Sequence, residues 1–342
     1  MSRLIQNLQI KNFKSIRDLS LECDRINIFI GKPNAGKSNI LEAISLLGAG
    51  YSEDSSKFME GEIRYDEIRH LFYKQDYRNS IKIETDQIRC LLLSNRERND
   101  FEISLTNING MNDGYHPPFF DMRISNTGHI TSVGGTSHTP KVKKYIFKII
   151  EFYKENDFSL HPPYGNNLYQ IIRSHQELEE EFQQFLKPNG FKLLFDEGAK
   201  RISIAQETEQ GSIITFPFHL IPDTIQRFIF HIAAIVSNQN SVILFEEPES
   251  HSYPPYIYEL AQHIVDDEGG NQYFIATHNP YLLTPILQEA KDVALFVTWF
   301  EDYQTYARRL SDKEVGDILS YGMDIFLNLK YFIPHEPSPD FA

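Results

Sequence analysis

The sequence predicts an α/β fold in which a mostly parallel sheet is flanked by helices. Residues 26–30, Ile-Asn-Ile-Phe-Ile, are more uniformly apolar than the strands before them, as expected of a strand buried on both faces. A glycine-containing turn and a segment with apolar residues at helical spacing follow them. Residues 241–245 form a second apolar run that ends in two glutamates, and residues 272–276 form a third that ends in threonine and histidine. Polar residues at the carboxyl ends of such strands point toward a ligand crevice, so we expect the functional site there.

Composition and charge limit the classes of protein to which the chain can belong. Its 342 residues suffice for one large α/β domain or two lobes, and its formal net charge is −14. A strongly acidic chain does not coat DNA or an anionic membrane, so any nucleic-acid contact must be a local basic patch. Two cysteines, Cys23 and Cys90, exclude a disulfide scaffold and a four-cysteine zinc site. Without a membrane-length apolar stretch or a signal peptide, the sequence predicts a soluble, cytoplasmic protein.

The other elements predict a second, less regular part of the chain. Strands are expected near the N-terminus and at 80–84, 88–93, 101–105, 191–195, 201–205 and 213–216. Residues 125–140 are rich in Ser, Thr, Gly and Asn, a composition that predicts a mobile loop because it cannot bury a core. Helices are expected at 141–154 and 167–186, and the proline-rich residues 334–339 predict an extended tail. We therefore expect residues 1–106 and 191–342 to form one discontinuous domain, with 107–190 inserted as a flexible loop plus helices.

The turn after the first buried strand has the pattern of a phosphate-binding loop. Residues 31–38 read Gly-Lys-Pro-Asn-Ala-Gly-Lys-Ser, which is glycine, four residues and then Gly-Lys-Ser. The glycines let successive backbone N–H groups point at phosphates, reinforced by the N-terminus of the following helix. Lys37 would neutralise the β- and γ-phosphates, and the Ser38 hydroxyl would bind Mg²⁺. The alternative, a glycine-rich turn with an incidental lysine and serine, is disfavoured because both flanking elements are correct.

The other two strand ends supply the groups that nucleotide hydrolysis needs. Glu246 would hold Mg²⁺ through water, although aspartate is usual at such a position, and Glu247 would polarise the attacking water. His278 would act as a sensor of the γ-phosphate. Taken alone, an acidic turn and a lone histidine are more often solvated surface groups; the phosphate loop upstream favours catalysis.

Together these segments resemble the ABC-type ATPase head shared by SMC proteins, RecF and the bacterial AAA-type ATPases that include the OLD nucleases. The matching segments are Lys-Asn-Phe-Lys-Ser at 11–15, the loop with Asn-Ile-Leu-Glu-Ala-Ile after it, Glu-Glu-Pro-Glu-Ser-His at 246–251 and Ala-Thr-His-Asn-Pro at 276–280. The resemblance implies a P-loop NTPase head with a mixed β lobe, ATP and Mg²⁺ as cofactors, and ATP held between two heads of a homodimer. The nucleotide-binding residues it implies are Asn34, Ala35, Gly36, Lys37, Ser38, Asn39, Lys14 and Thr224.

The chain departs from that family at the signature segment, which reads Leu-Ser and then glycine and contacts the γ-phosphate of the partner subunit. Ile221 stands where the serine is expected and Asp223 where the glycine is expected. Asp223 would repel phosphate unless it turns away, and we expect it to cap the following helix and leave Thr224 for the phosphate. Gln75 is a weak candidate for the family's glutamine-loop residue, and the more common alternative for such a residue is a solvated loop glutamine.

The resemblance implies that ATP hydrolysis serves as a conformational switch. Small ATPases of this kind often belong to anti-phage defence systems such as Septu or PARIS, beside a separate effector that can be a nuclease. After His278 only 64 residues remain, too few for the nuclease domain of the OLD proteins. One alternative is a RecF-like repair ATPase that binds DNA through Lys141, Lys143, Lys144, Lys148 and Lys154; another is a weakly hydrolysing, nucleotide-gated interaction module.

Overall fold

The computed structural model describes residues 4–52, 55–95, 97–108, 117–135, 139–150 and 158–334. The strands are β1 Asn7–Phe13, β2 Ile16–Glu22, β3 Ile26–Gly31, β4 Ile81–Glu84, β5 Ile88–Asn95, β6 Asp100–Asn107, β7 Phe120–Ser125, β8 Ile130–Gly135, β9 Val142–Tyr145, β10 Phe191–Asp196, β11 Arg201–Glu207, β12 Ile213–Pro217, β13 Val242–Glu246, β14 Gln272–Ala276, β15 Val293–Glu301 and β16 Gln304–Arg309. The helices are α1 Lys37–Ser45, α2 Leu168–Ser174, α3 Gln176–Leu186, α4 Asp223–Ser237, α5 Pro254–Asp266, α6 Pro280–Glu289, α7 Asp312–Tyr321 and α8 Ile325–Asn328.

A mostly parallel sheet with the strand order β16-β15-β3-β14-β13-β9 carries the three strand ends predicted to be functional. The strands β3, β14, β13 and β9 run parallel to their neighbours, and only β16 is antiparallel. Every residue of β3 and β14 is buried, including the polar Asn27 and Gln272, as expected of strands covered on both faces. The polar residues after β3, β13 and β14 therefore meet at one edge of the sheet, and the predicted α/β fold is confirmed.

A second, antiparallel sheet with the order β2-β1-β4-β5-β6-β7-β8 covers one face of this core. Its apolar residues and those of α1 pack together around Phe29, whose ring stacks on Phe274 and Phe296 at centroid distances of 6.4 and 5.0 Å. The opposite face of the parallel sheet packs against α4, α5 and α6. The phosphate loop consequently leads from the parallel sheet into a helix held between the two sheets.

Two secondary-structure predictions for residues 125–154 are wrong. Ile130–Gly135 is a strand that pairs with β7, although its composition predicted a loop. Residues 142–145 form an edge strand that pairs in parallel with β13, where a helix was predicted. The physical reason is tertiary: an edge of each sheet offers unpaired backbone groups, and pairing there outweighs local spacing and composition.

The segment predicted as one helix at 167–186 is helical, but it is divided at His175 into α2 and α3. The strands predicted at 191–195, 201–205 and 213–216 are confirmed as β10, β11 and β12, a three-stranded sheet. This sheet is tied to α3 because the side chain of Gln183 donates to the carbonyl of Leu193 over 2.8 Å and accepts from its N–H over 3.1 Å. The division into a discontinuous domain and an insertion at 107–190 stays a prediction, and residues 335–339 of the expected tail lie outside the described residues.

No helix in the described part of the chain is both long enough and apolar enough to cross a bilayer.

Candidate functional site

The phosphate loop lies between β3 and α1. At Gly36, where the loop packs against β16, its backbone has a conformation that favours glycine. Gly36 has φ +98°, and a β-carbon there would lie 1.9 Å from Thr305 Oγ1 on β16. Asn34 also has a positive φ, 62°, which a short polar side chain tolerates better than most. Because α1 begins at Lys37, the free N–H groups of its first turn face the loop, as a phosphate-binding loop requires.

Lys37 lies folded against its own loop. Its Nζ donates to the carbonyl oxygens of Gly31 and Lys32, both over 3.1 Å, and the residue is buried. Burial lowers the pKa of Lys37, and the carboxylates of Glu247 and Glu246 oppose that shift. Anionic phosphates beside it would offset the same loss of hydration, so the ammonium fits a phosphate ligand.

Glu246, at the end of β13, is surrounded by donors. Its Oε2 lies 3.0 Å from Lys144 Nζ, its Oε1 lies 3.4 Å from Arg64 Nη2, and the Ser38 hydroxyl donates to the same carboxylate. Burial by itself raises the pKa of Glu246, but Lys144, Ser38 and Arg64 outweigh it and hold the pKa below its usual value. The glutamate is therefore ionised at neutral pH, as a metal-binding carboxylate must be.

Glu247 and His278 face each other across the ends of β13 and β14. Glu247 Oε1 lies 3.8 Å from His278 Nε2, and Ser250 Oγ donates to Glu247 Oε2 over 3.4 Å. Glu247 has φ 46°, and its side chain is half exposed. Burial lowers the pKa of His278, Lys37 lowers it further, and Glu247 opposes both. The imidazole is thus largely neutral at pH 7 and can accept or donate a hydrogen bond.

Glu249 positions the turn that presents His278, a role that the sequence did not reveal. Its buried Oε1 accepts from Thr277 Oγ1 over 2.5 Å and from the backbone N–H of His278 over 3.1 Å. Burial raises the pKa of Glu249. The residue is the last glutamate of the Glu-Glu-Pro-Glu segment, so a signal was present, but the sequence does not show which glutamate points inward.

The predicted residues Asn34, Lys37, Ser38, Glu246, Glu247 and His278 all line one cavity of about 640 Å³. A hydroxyl from Ser38 and a carboxylate from Glu246, already hydrogen-bonded to each other, are the hard oxygen donors that Mg²⁺ takes from proteins that bind it together with phosphates. The donor set therefore fits Mg²⁺ with a nucleotide. Sequence reasoning did not place the charged residues Glu42, Glu62, Arg64, Lys144 and Arg227 in the wall of this cavity.

Two predicted nucleotide-binding residues, Asn39 and Lys14, make other contacts in the structure. Asn39 Nδ2 donates to Ser15 Oγ over 2.6 Å, and Ser15 Oγ lies 2.6 Å from Thr305 Oγ1, so Asn39 ties α1 to β16. Lys14 forms an ion pair with the fully buried Glu42, which also accepts from Arg64 Nε over 3.0 Å. Gly36 and Ala35 contribute their backbone to the loop, and the roles of all these residues toward a nucleotide stay predictions.

The start of α4 differs from the prediction. Asp223 is the first residue of the helix rather than its cap, and its carboxylate makes no capping hydrogen bond. Instead, Asp223 Oδ2 lies 2.6 Å from Arg227 Nε, one turn along the same helix. The prediction of an N-cap is therefore wrong, because Pro222 fixes the entry to the helix and Arg227 offers the carboxylate a charged partner. Thr224 Oγ1 accepts from the N–H of Tyr253 over 3.2 Å, and Ile221 is buried.

The structure also shows where Gln75 and the predicted basic cluster lie. Gln75 lines a separate cavity of about 720 Å³ beside Arg69 and Arg78, and its assignment to a glutamine loop stays a prediction. The basic cluster is not a uniform surface patch, because Lys143 and Lys144 are buried and the Lys143 ammonium donates to Ser159 Oγ over 2.6 Å. Lys154 lies outside the described residues.

Comparison with known proteins identifies a family and partial relatives. The family model described as "AAA domain, putative AbiEii toxin, Type IV TA system" matches residues 26–284. The chain is 33% identical to an ATP/GTP phosphatase of Helicobacter pylori over 93 residues, 24% of each chain. It is 39% identical to the DNA replication and repair protein RecF of Bacillus cytotoxicus over 64 residues, 18% of this chain and 17% of RecF. The aligned part thus spans a quarter or less of these relatives.

A solved structure supports the same fold over almost the whole chain. The SMC head in the crystal structure of the SmcHead bound to the C-winged helix domain of ScpA aligns with a TM-score of 0.53 and 13% identity, covering 91% of this chain and 99% of that one. Since the family model covers most of the sequence and the SMC head shares its architecture, the chain belongs to the AAA-domain family described as putative AbiEii toxin, Type IV TA system, and has the fold of an ABC-type, SMC/RecF-like P-loop ATPase.

Proposed function

We propose that the chain binds ATP with Mg²⁺ and hydrolyses it at the cavity between the ends of β3, β13 and β14. The observation that carries the proposal is the convergence of Lys37, Ser38, Glu246, Glu247 and His278 on that cavity, although up to 241 positions separate them in the sequence. A phosphate loop, two acidic residues at a neighbouring strand end and a polar sensor are the parts that phosphoryl transfer to water requires.

Each side chain has a role that follows from its environment. The Lys37 ammonium and the N–H groups of the first turn of α1 bind the phosphates, since they supply positive charge where hydration has been removed. Ser38 and Glu246 would hold Mg²⁺, which supplies charge neutralisation on the terminal phosphates when bound. Glu247, half exposed and facing the cavity, orients the attacking water and accepts its proton. His278, held by Glu249, donates a hydrogen bond to the terminal phosphate.

We further propose that ATP joins two copies of the chain into a homodimer that acts as a conformational switch. The exposed first turn of α4 supports this proposal, because the Asp223 carboxylate is neutralised by Arg227 and no longer opposes an incoming phosphate. Thr224 beside it carries a hydroxyl that can exchange its contact with Tyr253 for a phosphate oxygen of the second copy.

The switch is proposed to serve as the ATPase and sensor component of a cytoplasmic anti-phage defence system, with a separate effector. The family model's description as a putative toxin of a type IV TA system supports a role beside a partner protein. The RecF-like alternative, direct DNA binding, has less support here because two of the five lysines proposed for it are buried.

Two measurements test the proposed activity. Calorimetric titration of the purified chain with ATP should show binding, and phosphate release should depend on Mg²⁺. A chain that binds ATP but releases no phosphate, even at high protein concentration, would be the nucleotide-gated interaction module instead. A chain that binds no nucleotide would contradict the proposal as a whole.

A further inference from the structure

Lys144 is a buried lysine in the wall of the nucleotide cavity. It lies on the edge strand β9, directly beside Leu244 of β13, and only 2% of its side chain is exposed. A lysine at that depth needs partners for its charge and its donors. Lys144 Nζ lies 3.0 Å from Glu246 Oε2 and donates to the carbonyl oxygen of Glu62 over 2.9 Å.

Glu246 is the charged partner of Lys144, because the other acidic side chain nearby, Glu62, is mostly uncharged. The side chain of Glu62 is buried, and burial raises the pKa of Glu62 to about 8 against the opposing effect of Lys144. The Glu62 carboxyl is therefore mostly protonated and uncharged at neutral pH, so it does not act as the counter-ion of the Lys144 ammonium. Arg64 also approaches Glu246, but its side chain is 69% exposed and it is shared with Glu42. Lys144 is thus the buried cation that lies beside the Glu246 carboxylate, which we propose binds the metal.

This arrangement changes what a triphosphate meets in the cavity. A carboxylate without a counter-ion would repel the terminal phosphates, and in a site of this design the metal ion would be needed to relieve that repulsion. Here the protein supplies the positive charge before any ligand enters. The phosphates then meet Lys37 on one wall and a neutral Glu246–Lys144 pair on the other.

We propose that Lys144 is a built-in counter-ion for Glu246 that lets the chain bind ATP without Mg²⁺, so that the metal is required for hydrolysis but not for binding. The inference rests on the proposed nucleotide site. Lys144 acts through Glu246 and is a positioning residue in this account, since it shapes the charge of the site rather than touching the reacting atoms.

The test measures the affinity for a fluorescent ATP analogue in EDTA and in millimolar Mg²⁺. For the unmodified chain the two dissociation constants should agree within about threefold, whereas Lys144→Met should lose about tenfold or more in EDTA and recover in Mg²⁺. Lys141→Met is the matched control on the same segment, because that residue is exposed and its ammonium donates to the carbonyl of Gln239. Equal metal dependence of the Lys144→Met variant and the unmodified chain would overturn the inference. No binding by the unmodified chain in either buffer would instead overturn the proposed function.

A double variant guards against a purely structural effect of the substitution. Lys144→Met combined with Glu246→Gln removes both members of the pair and leaves no unpaired buried charge. If Lys144 acts by neutralising Glu246, this variant should regain the affinity in EDTA. If the double variant binds as weakly in EDTA as the single one, while circular dichroism shows both to be folded, Lys144 does not act through Glu246 and the inference fails.

Discussion

Glu249 Oε1 accepts a hydrogen bond from the backbone N–H of His278 over 3.1 Å, which ties the turn after β13 to the turn after β14. The same oxygen accepts from Thr277 Oγ1, so one buried carboxylate sets the direction in which both turns leave the sheet. The distance between Glu247 and His278 depends on this contact, because each stands in one of the two turns.

We expect Glu249→Ala to lower the free energy of unfolding by about 1–3 kcal/mol, since it leaves the buried Thr277 hydroxyl and the partly buried N–H of His278 without their acceptor. ATP turnover should fall as well, because His278 loses its fixed position. Glu249→Gln keeps an acceptor oxygen and should lie close to the unmodified chain in both respects. Urea denaturation and phosphate release measure the two effects; equal behaviour of the alanine and glutamine variants would show that the contact does not position the turn.

Lys37→Ala should abolish detectable ATP binding. The change leaves phosphate charge uncompensated in a buried site, and a charge-assisted contact of this kind contributes about 1.5–3 kcal/mol. Lys32→Ala is the matched control, because Lys32 stands in the same loop but is exposed. Undiminished affinity of a folded Lys37→Ala variant in calorimetry would contradict the assignment of the phosphate loop.

Glu247→Gln should keep ATP bound while slowing its hydrolysis by about 10²–10⁴-fold, because an amide is a poor acceptor for the proton of the attacking water. The variant should accumulate an ATP-bound dimer that size-exclusion chromatography can separate from the monomer. Turnover at the rate of the unmodified chain would mean that another residue of the same cavity, with Glu246 the first candidate, activates the water.

Thr224→Ala should weaken cooperative hydrolysis and leave nucleotide binding by the single subunit intact. The hydroxyl lies at the first turn of α4, where the proposed second copy presents its phosphate. Thr224→Ser retains the hydroxyl and serves as the control. The dimer model fails if sedimentation gives the same oligomer with and without ATP and if Thr224→Ala hydrolyses ATP normally.

His231 should make the fold sensitive to mild acid. Burial lowers the pKa of His231 to about 4, while its Nδ1 donates to the carbonyl of Arg227 over 2.8 Å. The unfolded chain, with a histidine pKa of about 6.5, binds the proton first as the pH falls, so acid favours the unfolded state. The contribution to stability is complete above about pH 6.5 and is lost progressively toward pH 4, with a loss of about 2 kcal/mol at pH 5. Urea denaturation at pH 7.5 and pH 5 should show a smaller difference for His231→Gln; an unchanged difference would place the acid sensitivity elsewhere.

The sequence alone was enough to predict the α/β fold and the three strand ends that form the site. These features are local: a buried strand, its polar end and the turn after it occupy about ten consecutive residues, and their chemistry can be recognised without knowing what lies beside them. The phosphate loop is the clearest case, because glycines, lysine and serine serve the same ligand within one turn of the chain.

The partners of those residues were decided by the tertiary structure. Lys144 forms an ion pair with Glu246, and Arg64 forms ion pairs with Glu42 and Glu246. Thr305 packs against Gly36. The separations in the sequence range from 22 to 269 positions. The segment of Lys144 has the spacing of a helix, yet it forms a strand because β13 offers an unpaired edge. Whether this lysine lies in solvent or against the carboxylate of Glu246 depends on which sheet edge its backbone pairs with, and that pairing is a property of the packed sheet rather than of the local sequence.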